Sequence, residues 1–180
     1  SAIVSNSPDA PRFSIIAMGR YGGGELSYGS DADVMFVYSE EPSDSTSEEL
    51  SAQTAHAIAN ELRTLLMAPS TDPELVIDAD LRPEGKSGPL VRSLDSFAAY
   101  YQNWSSGWET QALLRAKPVA GDGELNEAFI ALINPIRYKS DGLPESELRE
   151  IRRLKARMET ERLPRGIDPG LHTKLGPGGL

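Results

Sequence analysis

Asp31 and Asp33 stand at i and i+2 in Gly29-Ser30-Asp31-Ala32-Asp33, directly before the apolar run Val34-Met35-Phe36-Val37-Tyr38. At the start of a strand, that spacing turns both carboxylates to one face. Upstream lie Gly19, Gly22, Gly23 and Gly24 in GRYGGGELSYGSD. Glycines let a backbone approach a ligand closely and take positive φ without strain. Successive N–H groups in such a loop form an anion cradle, to which Ser30 adds a hydroxyl. Two carboxylates beside that cradle suit divalent-metal chemistry on a nucleotide, because Mg2+ prefers carboxylate oxygens, phosphate oxygens and waters. Two such ions about 4 Å apart clamp the attacking and leaving oxygens of an in-line displacement. A third acid would complete the site. Asp78, in the segment Glu74 to Leu81, is the natural one, with Asp80 on the same face of an alternating strand as its competitor. Each part alone also suits plain loop geometry or a solvated strand edge; the conjunction points to the chemistry.

The elements that must position these residues follow from apolar spacing. Phe13 to Met18 is a short apolar run that predicts a buried strand, and Asp33 to Tyr38 predicts a second. The glycine-dense segment between them is a turn leading into a short helix. Leu50, Ala55, Ile58, Ala59, Leu62, Leu65 and Leu66 recur at helical spacing, with Thr46 or Ser47 as the N-cap. Glu74 to Leu81 reads as a third strand. Helices are expected over 93–104, 107–117 and 123–134, and a last amphipathic helix from about Pro144 presents Leu148, Ile151, Leu154 and Met158. Three strands followed by a helical half predict a small α+β domain with a helical C-terminal extension. The expected division is a tail or linker over 1–12, a core over 13–120, and the start of a truncated helical domain over 121–180.

Length and composition bound the rest. With 180 residues, 39% hydrophobic and 25% charged, the chain can build a packed core. It has no cysteine, which excludes a disulfide scaffold, a thiolate metal site and a cysteine nucleophile. The net charge is −9, against a uniformly basic face for nucleic-acid phosphates, so no nucleic-acid partner is expected. Glu40 to Glu49 carries five acids and no base, a solvated loop, whereas Arg149 to Arg165 holds seven Lys or Arg against three Glu, a charged outer face. No apolar run is long enough for a membrane span and the first twelve residues lack a secretory layout, so a soluble, cytoplasmic chain is expected.

Rival motifs fail on inspection. A Rossmann fingerprint would need glycine where Ser27 stands, and a Walker loop needs a Gly-Lys-Ser/Thr that is absent. Met35 and Phe36 occupy positions that an EF-hand gives to Asp or Asn and to Gly. His172 has no Ser or Cys partner for a triad. Trp104 and Trp108 read as core aromatics, Glu109 and Arg115 as an internal ion pair, and His56 as a surface or half-buried residue.

Gly19-Arg20, ten intervening residues, then Asp31-Ala32-Asp33 resembles the signature of the DNA polymerase β-type nucleotidyltransferases, with Gly-Arg in place of their usual Gly-Ser. AMGRYGGGELSYGSDADVMFVY, IDADLRPEGKSGPLV, WETQALLRAKPVAGD and HTKLGPGGL together resemble the catalytic core of the glutamine synthetase adenylyltransferases, whose members carry two related cores in one long chain. The first block is closest to the second, adenylylating core of actinobacterial members. The resemblance implies a small mixed sheet with flanking helices, ATP as substrate, Mg2+ (two ions), a tyrosine of glutamine synthetase as acceptor, and regulation by the PII signalling protein. It implies Asp31, Asp33 and Asp78 as metal ligands and catalytic acids. It puts Gly19, Arg20, Gly22, Gly23 and Ser30 against the triphosphate, with Arg82, Lys86 and Arg92 neutralising its charge. Asp80 stands where many relatives have arginine.

The implied reaction is attack of the tyrosine hydroxyl on the α-phosphorus, with Asp78 accepting or orienting the proton. Phosphorolytic AMP removal would use the same ligands and stays open, as does a non-catalytic nucleotide-binding core.

Overall fold

The computed structural model describes residues 10–39, 45–69, 71, 74–104, 106–161, 166, 168 and 170. The chain begins with β1 (Arg12–Ala17), a one-turn helix α1 (Gly19–Gly22), β2 (Ala32–Ser39) and the long helix α2 (Ser45–Leu66). β3 (Ile77–Asp78), β4 (Val91–Ser93), α3 (Leu94–Asn103) and α4 (Gly107–Ala112) follow. β5 (Lys117–Gly121), α5 (Gly123–Arg137) and α6 (Glu145–Glu161) complete the described elements. Of the acidic loop expected over 40–49, residues 40–44 lie outside the described residues, as do the 1–9 part of the expected tail and the final block 172–180, whereas 45–49 are not loop but the start of α2.

The sheet is mixed, in the order β3-β2-β1-β5, with β4 also on β2. β1 runs antiparallel to both β2 and β5, while β3 and β4 lie parallel to β2 at its two ends. From Val34 to Tyr38 β2 is apolar because both of its faces are covered, and its period of two divides the core. Met35 and Val37 join Ile16, Phe97, Leu125, Phe129 and Ile133 on one side, where α3 and α5 pack. Val34, Phe36 and Tyr38 join Phe13, Ala55, Ala59, Ile77 and Val91 on the other, beneath α2. The β1–β2 register keeps the halves apart: Ile16 faces Met35, and Phe13 faces Tyr38.

Ser93 caps α3 by accepting from the Ser96 N–H, and Asp122 caps α5 by accepting from the Leu125 N–H at 2.8 Å. Phe97 and Phe129 meet edge to face with centroids 5.4 Å apart, tying α3 to α5.

Backbone contacts divide the chain into two compact units, residues 1–105 with 109–138 and residues 106–108 with 139–180. The first contains the whole sheet and α5. In the second, Lys139 pairs with Glu147 at 3.1 Å, and α6 turns half-buried Ile151 and Leu154 to one side. Among the described residues no helix is long and apolar enough to cross a membrane.

Several expectations are corrected. The third strand is two residues, not eight, and Asp80 lies in the turn that follows it. The 107–117 helix stops at Ala112, gives one 3-10 turn over Leu113–Arg115, and yields to β5. That strand carries Pro118 and is mostly exposed, so it shows neither apolar alternation nor β-propensity; pairing with β1 creates it. α2 starts at Ser45, which puts Thr46 and Ser47 inside the helix rather than at its cap. Trp104 is 77% exposed at the end of α3, not a core aromatic.

Candidate active site

The three acids converge through the sheet. Parallel pairing of β3 with β2 sets Asp78 directly beside Asp33, and residues so aligned project to the same face. Asp31 lies two residues earlier along the same chain direction. One carboxylate oxygen from each of Asp31, Asp33 and Asp78 lies within 4.8 Å of the other two, and all three residues are half-buried. Alternation puts them on the face opposite Ala32 and Ile77, which are buried beneath α2. The Ala32 N–H donates to the Val76 carbonyl at 2.8 Å and the Met18 N–H to the Asp33 carbonyl at 2.8 Å, clamping both ends of this segment. Asp78 Oδ1 accepts the Asp80 N–H at 2.7 Å, an Asx-type turn that orients Asp78 and carries Asp80 away from the cluster.

Three converging carboxylates repel one another, and a hard divalent cation with oxygen preference relieves that repulsion. The donor set is all oxygen and close enough for one ion to be shared, so these residues fit such a cation.

The glycine turn is part of the same construction. Gly19 has φ +50, and a Cβ there would stand 2.2 Å from Oδ2 of Asp33. Only glycine leaves room for that carboxylate and tolerates that backbone. At Gly22 a Cβ would meet the Arg115 carbonyl at 1.9 Å and the Ala17 carbonyl at 2.7 Å, so glycine allows α1 to seat against the neighbouring backbone. The N–H groups of Gly22 and Gly23 donate to the carbonyls of Met18 and Gly19, at 2.7 and 3.2 Å. They serve the turn itself. The N–H groups of Gly19 and Arg20 open α1, where a helix leaves donors without an internal acceptor. Ser30, half-buried next to Asp31, shares a 2.9 Å hydroxyl contact with Ser27.

The basic residues of the loop after β3, and Arg92 in β4, are engaged within the protein. Arg82 donates to the carbonyls of Ala79, Gly88 and Pro89 over 2.8–3.2 Å and lies 3.6 Å from Asp80, stapling the loop. Arg92 pairs with Glu84, donates to Ser96 Oγ at 3.1 Å, and lies over the Tyr100 ring. Glu84 itself has φ 64, a left-handed conformation for which the Arg92 pair is the tether. Lys86 is 83% exposed and pairs with Asp80 at 3.2 Å.

The expected Glu109–Arg115 pair gives way to other partners. Arg115 donates to Glu25 at 2.7 Å, tying the glycine loop to the segment before β5. Glu109 is buried and accepts the Tyr100 hydroxyl at 2.8 Å. Burial pushes the Tyr100 hydroxyl above its ordinary pKa, helped by Glu109; burial does the same to Tyr101, again with Glu109 as the next cause. From the sequence Glu109 is expected to be internal, but paired with Arg115 rather than with Tyr100.

The model of the glutamate-ammonia ligase adenylyltransferase family matches residues 2–131. A bifunctional glutamine synthetase adenylyltransferase/adenylyl-removing enzyme of Streptomyces coelicolor is 64% identical over 169 residues, covering 94% of this chain and 17% of the relative. The protein of the same name from Mycobacterium avium is 56% identical, covering 92% of this chain and 16% of the relative. That from Mycolicibacterium smegmatis is 54% identical, covering 99% and 18%. The chain thus spans about a sixth of the length of these relatives. With the family model covering most of its length and the acid cluster assembled inside the matched region, the chain belongs to the glutamate-ammonia ligase adenylyltransferase family.

Proposed function

We propose that this chain is a nucleotidyltransferase core of the DNA polymerase β type, which transfers AMP from ATP to a tyrosine hydroxyl of glutamine synthetase. The meeting of Asp31, Asp33 and Asp78 beside the Gly19 turn carries this reading. The name of the relatives supports glutamine synthetase as the protein substrate. Because that name also includes adenylyl removal, the forward direction rests on GRYGGGELSYGSDAD, which resembles the adenylylating core. A cytoplasmic setting and control by the PII signalling protein belong to the same proposal.

A divalent cation held by Asp31, Asp33 and Asp78, Mg2+ on this reading and two ions on the two-metal pattern, would neutralise phosphate charge and lower the pKa of the acceptor hydroxyl. The chain's own residues do the positioning. Gly19 and Arg20 offer the opening N–H groups of α1, and Ser30 its hydroxyl, to the triphosphate. Gly22 and Gly23 keep that turn tight enough to lie against β1. Gly19 holds Asp33 in place by leaving it room. Asp78 orients the acceptor hydroxyl and takes its proton as the new O–P bond forms and the bond to the bridging oxygen breaks, releasing pyrophosphate. Catalysis here is placement and charge, as in other phosphoryl transfers.

The test is transfer of label from α-labelled ATP to glutamine synthetase in the presence of Mg2+. Label on a tyrosine, with unlabelled pyrophosphate released, is expected. Label released only when adenylylated glutamine synthetase meets phosphate would reverse the assigned direction, and no nucleotide chemistry in either assay would overturn the proposal.

A further inference from the structure

The glycine turn ends against Arg115. At Gly22 an added Cβ would meet the Arg115 carbonyl at 1.9 Å, and at Gly23 it would stand 3.1 Å from Nη1 of the same residue. Arg115 therefore touches two successive positions of the turn, one with its backbone and one with its guanidinium. A glycine beside a carbonyl gains little attraction, because a Cα–H contact to oxygen is weak. The hold comes from the guanidinium, which donates to both carboxylate oxygens of Glu25, at 2.7 and 3.5 Å. That planar fork fixes orientation as well as distance.

The pair is anchored at both ends. The Glu25 N–H donates to the Arg20 carbonyl at 2.8 Å and the Gly24 N–H to the Tyr21 carbonyl at 3.1 Å, which folds Glu25 back onto α1. On the other side Arg137 of α5 donates to the carbonyls of Leu113 and Ala116, at 3.3 and 2.9 Å. Those two residues bracket Arg115 and are buried in the core. A line of contacts thus runs from α5 through Arg115 and Glu25 to α1, whose first residue, Gly19, lies against the Asp33 carboxylate. The two side chains of the pair keep 31% and 45% of their surface exposed, and a pair so exposed adds little to overall stability. Its effect lies in where it puts the turn.

We propose that the Arg115–Glu25 pair is the brace that sets the glycine turn against the acid cluster, which makes both residues positioning residues for ATP. The inference rests on the adenylyl-transfer reading. Without the brace the turn leaves its place for part of the time, and ATP has to restore it on binding. That cost appears in KM for ATP rather than in kcat.

Arg115→Gln, Glu25→Gln and the double variant are made in the full-length protein and assayed for transfer from α-labelled ATP to glutamine synthetase. Each single change is expected to raise KM for ATP about fivefold. The same changes should leave kcat and KM for glutamine synthetase within about twofold, and Tm within a few degrees. The double variant should be no worse than either single one, because the same contact is lost in all three. Arg115→Lys, which keeps the charge, should recover part of the loss. A rise in one single variant alone overturns the inference; seen only with Arg115→Gln, it would make the guanidinium a direct ligand of the triphosphate. Unchanged KM for ATP in both, or losses that multiply in the double variant, overturn it as well. Failure of the unaltered protein to transfer label defeats the adenylyl-transfer reading itself, and the inference with it, which keeps the two failures distinct.

Discussion

Gly19 and Asp33 are packed so closely that a single methyl on the first would stand 2.2 Å from Oδ2 of the second. The glycine turn thus fixes where a carboxylate of the cluster lies. Gly19→Ala is expected to lower transfer activity by about 10²-fold, the usual penalty for a displacement near 1 Å at a reacting centre. The strain of a non-glycine residue at positive φ adds a stability loss of about 1–2 kcal/mol. Steady-state rates and thermal melts of the same preparation check both numbers; full activity would detach the turn from the site.

Arg82 separates a structural from a phosphate-binding role. Its guanidinium donates to the carbonyls of Ala79, Gly88 and Pro89. Removing it strands those acceptors and frees the loop, so Arg82→Gln is expected to cost about 2–4 kcal/mol in stability. KM for ATP should stay within about twofold of the unaltered protein, a change of only about 0.4 kcal/mol. A raised KM for ATP at unchanged Tm would return Arg82 to the triphosphate.

Buried Tyr101 sets an alkaline limit. Tyr101 is raised by burial and then by Glu109 and Tyr100, with Arg92 opposing. A group whose folded pKa exceeds its unfolded value near 10.0 contributes its stability below that pH and loses it as pH rises toward the folded value. Through Tyr101, unfolding free energy should be flat up to about pH 10 and then fall by about 1 kcal/mol per pH unit. Denaturant titrations across that range, repeated on Tyr101→Phe, should show a shallower decline in the variant. An identical decline would assign the alkaline loss to other groups.

How much of this was legible in the sequence depends on the range of the interaction that decides each residue's place. Asp31 and Asp33 could be read because their shared face follows from strand alternation alone. Asp78 and Asp80 could not be separated that way. Alternation puts both on one face, and only the turn, in which Asp78 accepts from the Asp80 N–H, removes the second from the cluster. β5 was hidden because an edge strand containing Pro118 has no local signature; its partner is β1, about a hundred residues earlier. Arg82 and Arg92 looked like ligands for an anion because the carbonyls and the Glu84 carboxylate that occupy them are set by the loop's fold. Gly22 illustrates the converse. Its identity was visible, but its reason, a backbone approach to Arg115, is tertiary.

The claim on which the account stands is that Asp31, Asp33 and Asp78 act together on the transferred AMP. The most direct measurement is transfer from α-labelled ATP to glutamine synthetase by the full-length protein carrying Asp31→Asn and Asp33→Asn together. The variant should fold, with Tm within a few degrees of the unaltered protein, lose the rise in Tm that Mg2+ otherwise brings, and transfer AMP at least about 10³-fold more slowly. Transfer at the unaltered rate by the folded variant would contradict the account.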